Sequence, residues 1–267
     1  MGIHNGLDRL DLGRLVDKNQ LSYDLFLAQS DEITLHRNEQ FIWIESADNS
    51  PVFNGVLETN VELHNSSPAI SQFFKKLASG KDHFCWKVWS SSSPSNIGDI
   101  LESQGLTVGS VSSGMAIDLS SCTFSNPTVD KLLVKRVDSD ERLEQWIATL
   151  FDGFQLNQGV RSTYRKVLMD GGFRDPVRIY LGLYDGEPVA TACCYFEHDV
   201  VGIYWVSTLP AFRERGIGRR LMNIVLRDAY DAGYKFAILQ ASGEGGKMYK
   251  DIGFRQVCSN VRYKWKP

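Results

Sequence analysis

Between residues 212 and 221 the chain reads FRERGIGRRL, with Gly216 and Gly218 spaced by one isoleucine and set among arginines. An apolar strand-like run precedes this stretch and an apolar helical run follows it. Glycines let backbone N–H groups approach a ligand closely, a helix N-terminus carries partial positive charge, and arginines add whole charges. That combination suits a phosphate group. Further on, ASGEGGKMYK at 241–250 places a second glycine-rich loop between a strand and a helix.

Two familiar phosphate loops fail on inspection. A dinucleotide-binding G-x-G-x-x-G would need a third glycine where Leu221 stands, at the point where helix and strand must pack closely. A nucleotide-hydrolase P-loop would need Ser or Thr after Lys247 to hold Mg²⁺, and Met248 stands there. Little sequence follows it to supply the acid of a later strand.

A third pattern fits better. Arg213-x-x-Gly216-x-Gly218 resembles the Q/R-x-x-G-x-G/A loop of the GNAT superfamily of acyl-CoA-dependent N-acyltransferases. AILQASGEGGKMYKDIGF at 237–254 is similar to the second signature of that family, with its Tyr-x-x-x-Gly-Phe running from Tyr249 to Phe254. The two occur in the right order, and the resemblance covers about residues 130–267.

The resemblance implies an acetyl-CoA cosubstrate lying where two parallel strands splay apart, their ends near Ser207 and Gln240. Its pantetheine arm would pair with main-chain groups of Val206, Ser207 and Thr208 like an added strand. Its pyrophosphate would rest on the N–H groups from Arg215 through Gly216, Ile217 and Gly218 to Arg219. Arg213 would fix the loop, and Arg219 or Arg220 would reach the 3′-phosphate of the ribose. Tyr249 would be the general acid that protonates the departing thiolate. Ser242 stands where many members have an asparagine that orients the arm, so that contact falls to a hydroxyl. The base is open among Glu197, His198 and Glu244. The implied activity is N-acetyl transfer to a small-molecule or peptide amine. A non-catalytic acyl-CoA-binding module on the same scaffold is the alternative.

These residues need elements to hold them. Leu143, Trp146, Ile147, Leu150, Phe151 and Phe154 recur on one helical face, behind an apparent capping box of Asp138 with Glu141. A shorter helix over 160–169 ends at Gly171-Gly172. Three strand-like runs follow, separated at Asp185-Gly186 and His198-Asp199. A helix after the glycine loop, the strand KFAILQ, a short helix and a last strand complete the order βααβββαβαβ. The expected fold class is α/β with a mixed sheet, the GNAT-type fold with a splayed parallel strand pair.

With 267 residues, the chain can hold two cores of roughly 130 residues each. The polar segment SSCTFSNPT at 120–128 marks the boundary, giving an N-terminal α/β domain over 1–122 and a catalytic domain over 130–267. The first half has no Arg-x-x-Gly-x-Gly. Yet ILESQGLTVGSVSSGMAIDL at 100–119 repeats the grammar of MYKDIGFRQVCSNVRYKW at 248–265, a short helix closed by glycine and followed by a strand. This half therefore reads as a degenerate copy that shapes the acceptor side of the cleft or a homodimer interface.

Composition removes other classes. Hydrophobic residues at 43% and charged residues at 23% describe an ordinary globular chain. A net charge of -3, with no interleaved basic and aromatic pattern, gives no reason to expect nucleic acid. The 5 cysteines show no CxxC spacing, which argues against a disulfide framework and against a metal site. No apolar run is long enough for a membrane span and no signal peptide opens the chain, so the expected compartment is the cytoplasm.

Overall fold

The structure is a computed structural model that describes residues 9–47, 52–79, 83–124, 129–243 and 245–265. It divides into two compact units, Met1–Gly114 with Val257–Pro267, and Met115–Gln256. The polar segment 120–128 thus begins inside the second unit, and its residues 125–128 lie outside the described residues.

The first unit contains α1 (Arg9–Leu27), β1 (Ile33–Arg37), β2 (Phe41–Ser46), β3 (Gly55–Thr59), α2 (Ser66–Ala78), β4 (Phe84–Val88), α3 (Ile97–Ser103) and the first part of β5 (Thr107–Asp118). Strands β1, β2 and β3 form an antiparallel meander. Helix α2 then carries the chain over to β4, which pairs parallel to β3 at Gly55–Cys85 and Val56–Trp86. Stacked rings fill the space beneath, with Phe41 and Phe73 centroids 4.0 Å apart and Trp86 edge-on to both.

The second unit takes the end of β5, then β6 (Leu132–Arg136), α4 (Asp140–Phe154), α5 (Arg161–Gly171), β7 (Val177–Tyr184), β8 (Glu187–Glu197), β9 (Val200–Thr208), α6 (Ile217–Asp231), β10 (Phe236–Ala241) and α7 (Gly246–Ile252). β11 (Arg255–Trp265) follows α7 in the expected order, but from Val257 it belongs to the first unit, where it pairs antiparallel to β4. The sheet of the second unit is mixed. β6 to β9 are antiparallel neighbours, and β10 lies parallel to β9.

Local chemistry explains these elements. The run VATACCYF in β8 is buried throughout, as a strand flanked on both edges and covered on both faces requires. Helix α4 buries Leu143, Trp146, Ile147, Leu150 and Phe151, while Phe154 at its end stays 45% exposed. Its N-cap is Ser139, not Asp138: the Ser139 side chain accepts from the Arg142 N–H. Asp138 instead pairs with the Arg142 guanidinium one turn on. At the turns, Asp185 and His198 adopt left-handed conformations with φ of 54° and 52°, which lets the hairpins close tightly.

The two units share a topology. In each, an antiparallel meander leads through a 3₁₀ turn (Leu63–Asn65, Pro210–Phe212) and a helix to a parallel strand and a short helix, and in chain order a strand follows each time, β5 after the first and β11 after the second. The matching segments at 100–119 and 248–265 are α3–β5 and α7–β11. The parallel pairs differ, however. Beyond Trp86, the first unit bridges its own strands: Trp86 Nε1 donates to Thr59 Oγ1 at 2.9 Å and Trp89 Nε1 to the Leu57 carbonyl at 2.6 Å. A further bridge joins Asn60 to Ser93.

Candidate functional site

The second unit leaves its parallel pair open. Strands β9 and β10 pair from Val200–Phe236 to Ile203–Leu239 and no further, so β9 continues through Val206, Ser207 and Thr208 without β10 beside it. Main-chain groups on that side of β9 are placed to receive an extended ligand.

The parting coincides with a bulge. On its other edge β9 pairs Tyr204 with Cys193 and Ser207 with Thr191, so three steps on β9 face two on β8. The extra residue is accommodated at Trp205, whose φ is 54°. Left-handed backbone is costly for so bulky a residue, and the surroundings must enforce it. The fully buried Thr191 contributes: its Oγ1 donates to the Trp205 carbonyl at 2.7 Å and lies 2.7 Å from Ser207 Oγ. The Trp205 ring meets Phe154 and Tyr164 edge-on, so α4 and α5 both reach the bulge.

After β9 the chain turns through 210–216 into α6. Arg213 locks this turn, donating from Nε to the Thr208 carbonyl at 3.1 Å and from an Nη to the Gly153 carbonyl at 3.1 Å. Glu214 and Gly216 both take left-handed backbone, with φ of 62° and 78°. Gly216 is the N-cap of α6, and no side chain caps this helix. The N–H groups of Ile217, Gly218 and Arg219 therefore have no intrahelical acceptor, which is the condition for an anion site. At Gly218 a Cβ would lie 3.3 Å from Met248 Sδ and 3.5 Å from Thr208 Oγ1, so the start of α6 sits close to both β9 and α7. Arg219 reaches across to Asp251 of α7 at 3.1 Å. Arg215 folds back to the Ala211 carbonyl and lies over the Phe212 ring.

Tyr249 lies in α7, buried against the core and edge-on to Phe254. Burial pushes its phenol up to about 12, so it holds its proton throughout the neutral range. Ser242 follows β10 and is exposed.

The structure thus assembles Val206, Ser207, Thr208, Arg213, Gly216, Ile217, Gly218 and Arg219 around one end of β9, with α7 alongside. It does not bring Glu197 or His198 there. Glu197 ends β8 opposite Val200, and the strand separates it from the bulge by roughly 16 Å. Glu244 lies outside the described residues. Thr191, Gly153 and the bulge at Trp205 are additional parts of the site. The sequence signal for Gly153 is a glycine inside a strong helical pattern, where it costs stability unless something approaches closely. The donors present fit a phosphorylated ligand: exposed N–H groups at a helix start, a glycine that keeps the approach clear, and guanidinium groups around it. Among the described residues no three His, Cys, Asp or Glu side chains are grouped to hold a metal ion, and no helix is long and apolar enough to cross a membrane.

Comparison with known proteins agrees with this geometry. Residues 141–254 match the model of the Acetyltransferase (GNAT) family. Among solved structures, a GCN5-related N-acetyltransferase from Kribbella flavida is similar at a TM-score of 0.71 and 17% identity, over 96% of this chain and 95% of that one. A functionally unknown conserved protein from Staphylococcus epidermidis gives 0.66 and 14%, over 89% and 94%. A tandem GNAT protein from the clavulanic acid biosynthesis pathway gives 0.62 and 12%, over 97% of each chain. A search among curated proteins returned no match. The stretch that matches the GNAT acetyltransferase family model, residues 141–254, contains both the parted strands and the glycine-turned helix start.

Proposed function

We propose that the second unit transfers an acetyl group from acetyl-CoA to an amine, both substrates being bound together. The observation that carries this reading is the parting of β9 from β10 after Ile203 and Leu239, directly beside an uncapped helix start turned by Gly216. The pantetheine arm lies along Val206, Ser207 and Thr208, and the pyrophosphate rests on the N–H groups from Arg215 to Arg219. Arg213 fixes this turn without touching the ligand. Because Arg219 already pairs with Asp251, Arg220 is the freer partner for the 3′-phosphate.

In the reaction the neutral amine nitrogen attacks the thioester carbonyl carbon, the C–S bond breaks, and the thiolate takes a proton from Tyr249. The amine sheds its surplus proton to solvent, from which the Tyr249 phenolate regains one; the candidate base Glu197 stands at the far end of β9. Acceptor choice falls to the segment from Phe151 to Asp175, where Gln155, Asn157, Gln158 and Arg161 offer polar contacts to a small-molecule or peptide amine. The first unit we read as a degenerate copy of the second, resting on their shared element order.

A second reading, an acyl-CoA-binding module without turnover, is favoured by the position of Glu197 and by Ser242 in place of an asparagine. Calorimetric titration with acetyl-CoA, with Mg-ATP as control, tests the common premise. Micromolar binding of acetyl-CoA alone supports it, and no binding removes both readings. Release of free thiol on adding a panel of primary amines then separates enzyme from binder.

A further inference from the structure

We propose that Thr191 is a positioning residue, whose hydroxyl orients the Val206 amide N–H towards the thioester carbonyl of the acyl donor. The proposal rests on the reading of this unit as an acyl-CoA site. Thr191 is fully buried on β8, opposite Ser207, and its Oγ1 lies 2.7 Å from both the Trp205 carbonyl and Ser207 Oγ. A carbonyl can only accept, so the single Thr191 proton is committed to Trp205. The contact with Ser207 must then run the other way, from the serine hydroxyl to Thr191. The result is a chain with one direction: Ser207 donates to Thr191, and Thr191 donates to Trp205.

That chain acts on a strained point. Trp205 has a φ of 54°, a conformation that a bulky side chain adopts only when its surroundings impose it. Its carbonyl is drawn towards Thr191, and the peptide bond that follows is trans, so the Val206 N–H points the opposite way, away from β8. On the other edge of β9 lies the opening where β10 has parted from it. An N–H fixed there before the ligand arrives is a donor for a carbonyl oxygen, and it gains strength as that oxygen becomes negative. Gly153 closes the arrangement from α4, because it leaves no side chain to push the Ser207 hydroxyl aside. The bulge takes Trp205 out of the one-to-one register of β8 with β9, and the threonine hydroxyl holds its carbonyl there.

The test compares acetyl-CoA with CoA, which lacks the acetyl group that carries the carbonyl in question, on the full chain. In the wild-type protein the Val206 amide resonance should shift further with acetyl-CoA than with CoA. In Thr191→Val the preference for acetyl-CoA over CoA, taken as the ratio of their Kd values, should fall about fivefold, the effect of one hydrogen bond. Thr191→Ser should restore it. A purely structural threonine would weaken both ligands equally and leave the ratio unmoved, which would overturn the proposal. Equal Val206 shifts with the two ligands in the wild-type protein would overturn it without any variant, so a Thr191→Val chain that fails to fold does not shelter it. If the wild-type protein bound neither ligand, the acyl-CoA reading itself would fall, an outcome distinct from the others.

Discussion

Gly153 of α4 and Ser207 of β9 meet so closely that a Cβ on the glycine would lie 2.4 Å from the serine Oγ. Two effects of Gly153→Ala then oppose each other. Inside a helix, alanine is favoured over glycine by about 1 kcal/mol. Against this, the new methyl would displace a buried hydroxyl that already donates to Thr191, and overpacking of that kind costs about 1–3 kcal/mol. The clash should win. Chemical denaturation should show Gly153→Ala to be less stable than the parent by up to about 2 kcal/mol, and a more stable variant would mean that the helix packs more loosely than this.

Arg213 joins the ends of the same two elements through the Thr208 and Gly153 carbonyls. A planar guanidinium spans both acceptors, whereas a lysine ammonium at the end of a flexible stem does not hold two at fixed angles. Arg213→Lys should therefore keep the charge yet lose the geometry of the turn, weakening acetyl-CoA binding roughly three- to tenfold with net hydrogen bonds of about 1 kcal/mol at stake. Unchanged affinity in Arg213→Lys with a large loss in Arg213→Ala would show that charge alone matters there.

Gly218 offers a sharper separation of fold from binding. A Cβ there would meet Met248 Sδ at 3.3 Å, the side of a flexible chain that can move. Gly218→Ala should melt within about 3 °C of the parent, a shift worth less than 1 kcal/mol. If the pyrophosphate approaches the helix start as proposed, the same methyl stands in its way and acetyl-CoA affinity should fall at least tenfold. Equal affinity would move the pyrophosphate elsewhere. Alongside it, Arg220→Ala should lower the affinity for CoA but not for dephospho-CoA if the 3′-phosphate lies against that guanidinium.

Much of the second unit was legible because its elements are periodic or continuous in hydrophobicity. The face of α4, the apolar run of β8 and the turn at Asp185-Gly186 need only local rules. The bulge is different. Nothing in IYWVST marks Trp205 for left-handed backbone, because the cause is a hydroxyl on another strand. The acids near the β8–β9 turn had the right chemistry, but which end of β9 faces the glycine turn before α6 depends on strand direction in the assembled sheet. Ser139 took the cap from Asp138 by one position, a margin that sequence patterns do not resolve. The departure of β11 to the first unit likewise turns on pairing between Val261 and Val88, a contact far apart in sequence.

In the first unit, Lys87 is buried against Asp24 and within 5.7 Å of the Trp89 ring. Burial lowers the lysine pKa, and Asp24 opposes that effect. Removing the carboxylate in Asp24→Ala would strand the ammonium, and breaking such a pair from one side costs about 3–5 kcal/mol. The double variant Asp24→Leu with Lys87→Met should recover most of that loss in a denaturant titration. If the single variant were neutral, the pair would be reached by water.

Tyr249 links stability and chemistry through one proton. The unfolded chain releases its phenol proton near pH 10, while burial holds the folded one to about 12. The stabilisation from keeping this group neutral is therefore complete below pH 10 and is lost as pH rises from about 10 to about 12. Over that window the wild-type protein should lose about 2–3 kcal/mol more than Tyr249→Phe, read as the difference between their denaturation curves. The subtraction is needed because Tyr180, Tyr195 and Tyr263 are raised as well. The same proton predicts the rate profile. A free thiol ordinarily titrates at about pH 8.5, so the leaving thiolate draws a proton from a phenol only as negative charge builds on sulfur. Under the proposed mechanism Tyr249 acts late, and its buried phenol stays protonated across the neutral range. Tyr249→Phe should lower kcat ten- to a thousandfold with CoA affinity nearly unchanged. In the parent, no fall in kcat attributable to this group should occur below about pH 11. A descending limb centred near pH 8.5 that disappears in Tyr249→Phe would mean that the phenol is far less buried during turnover than it is here.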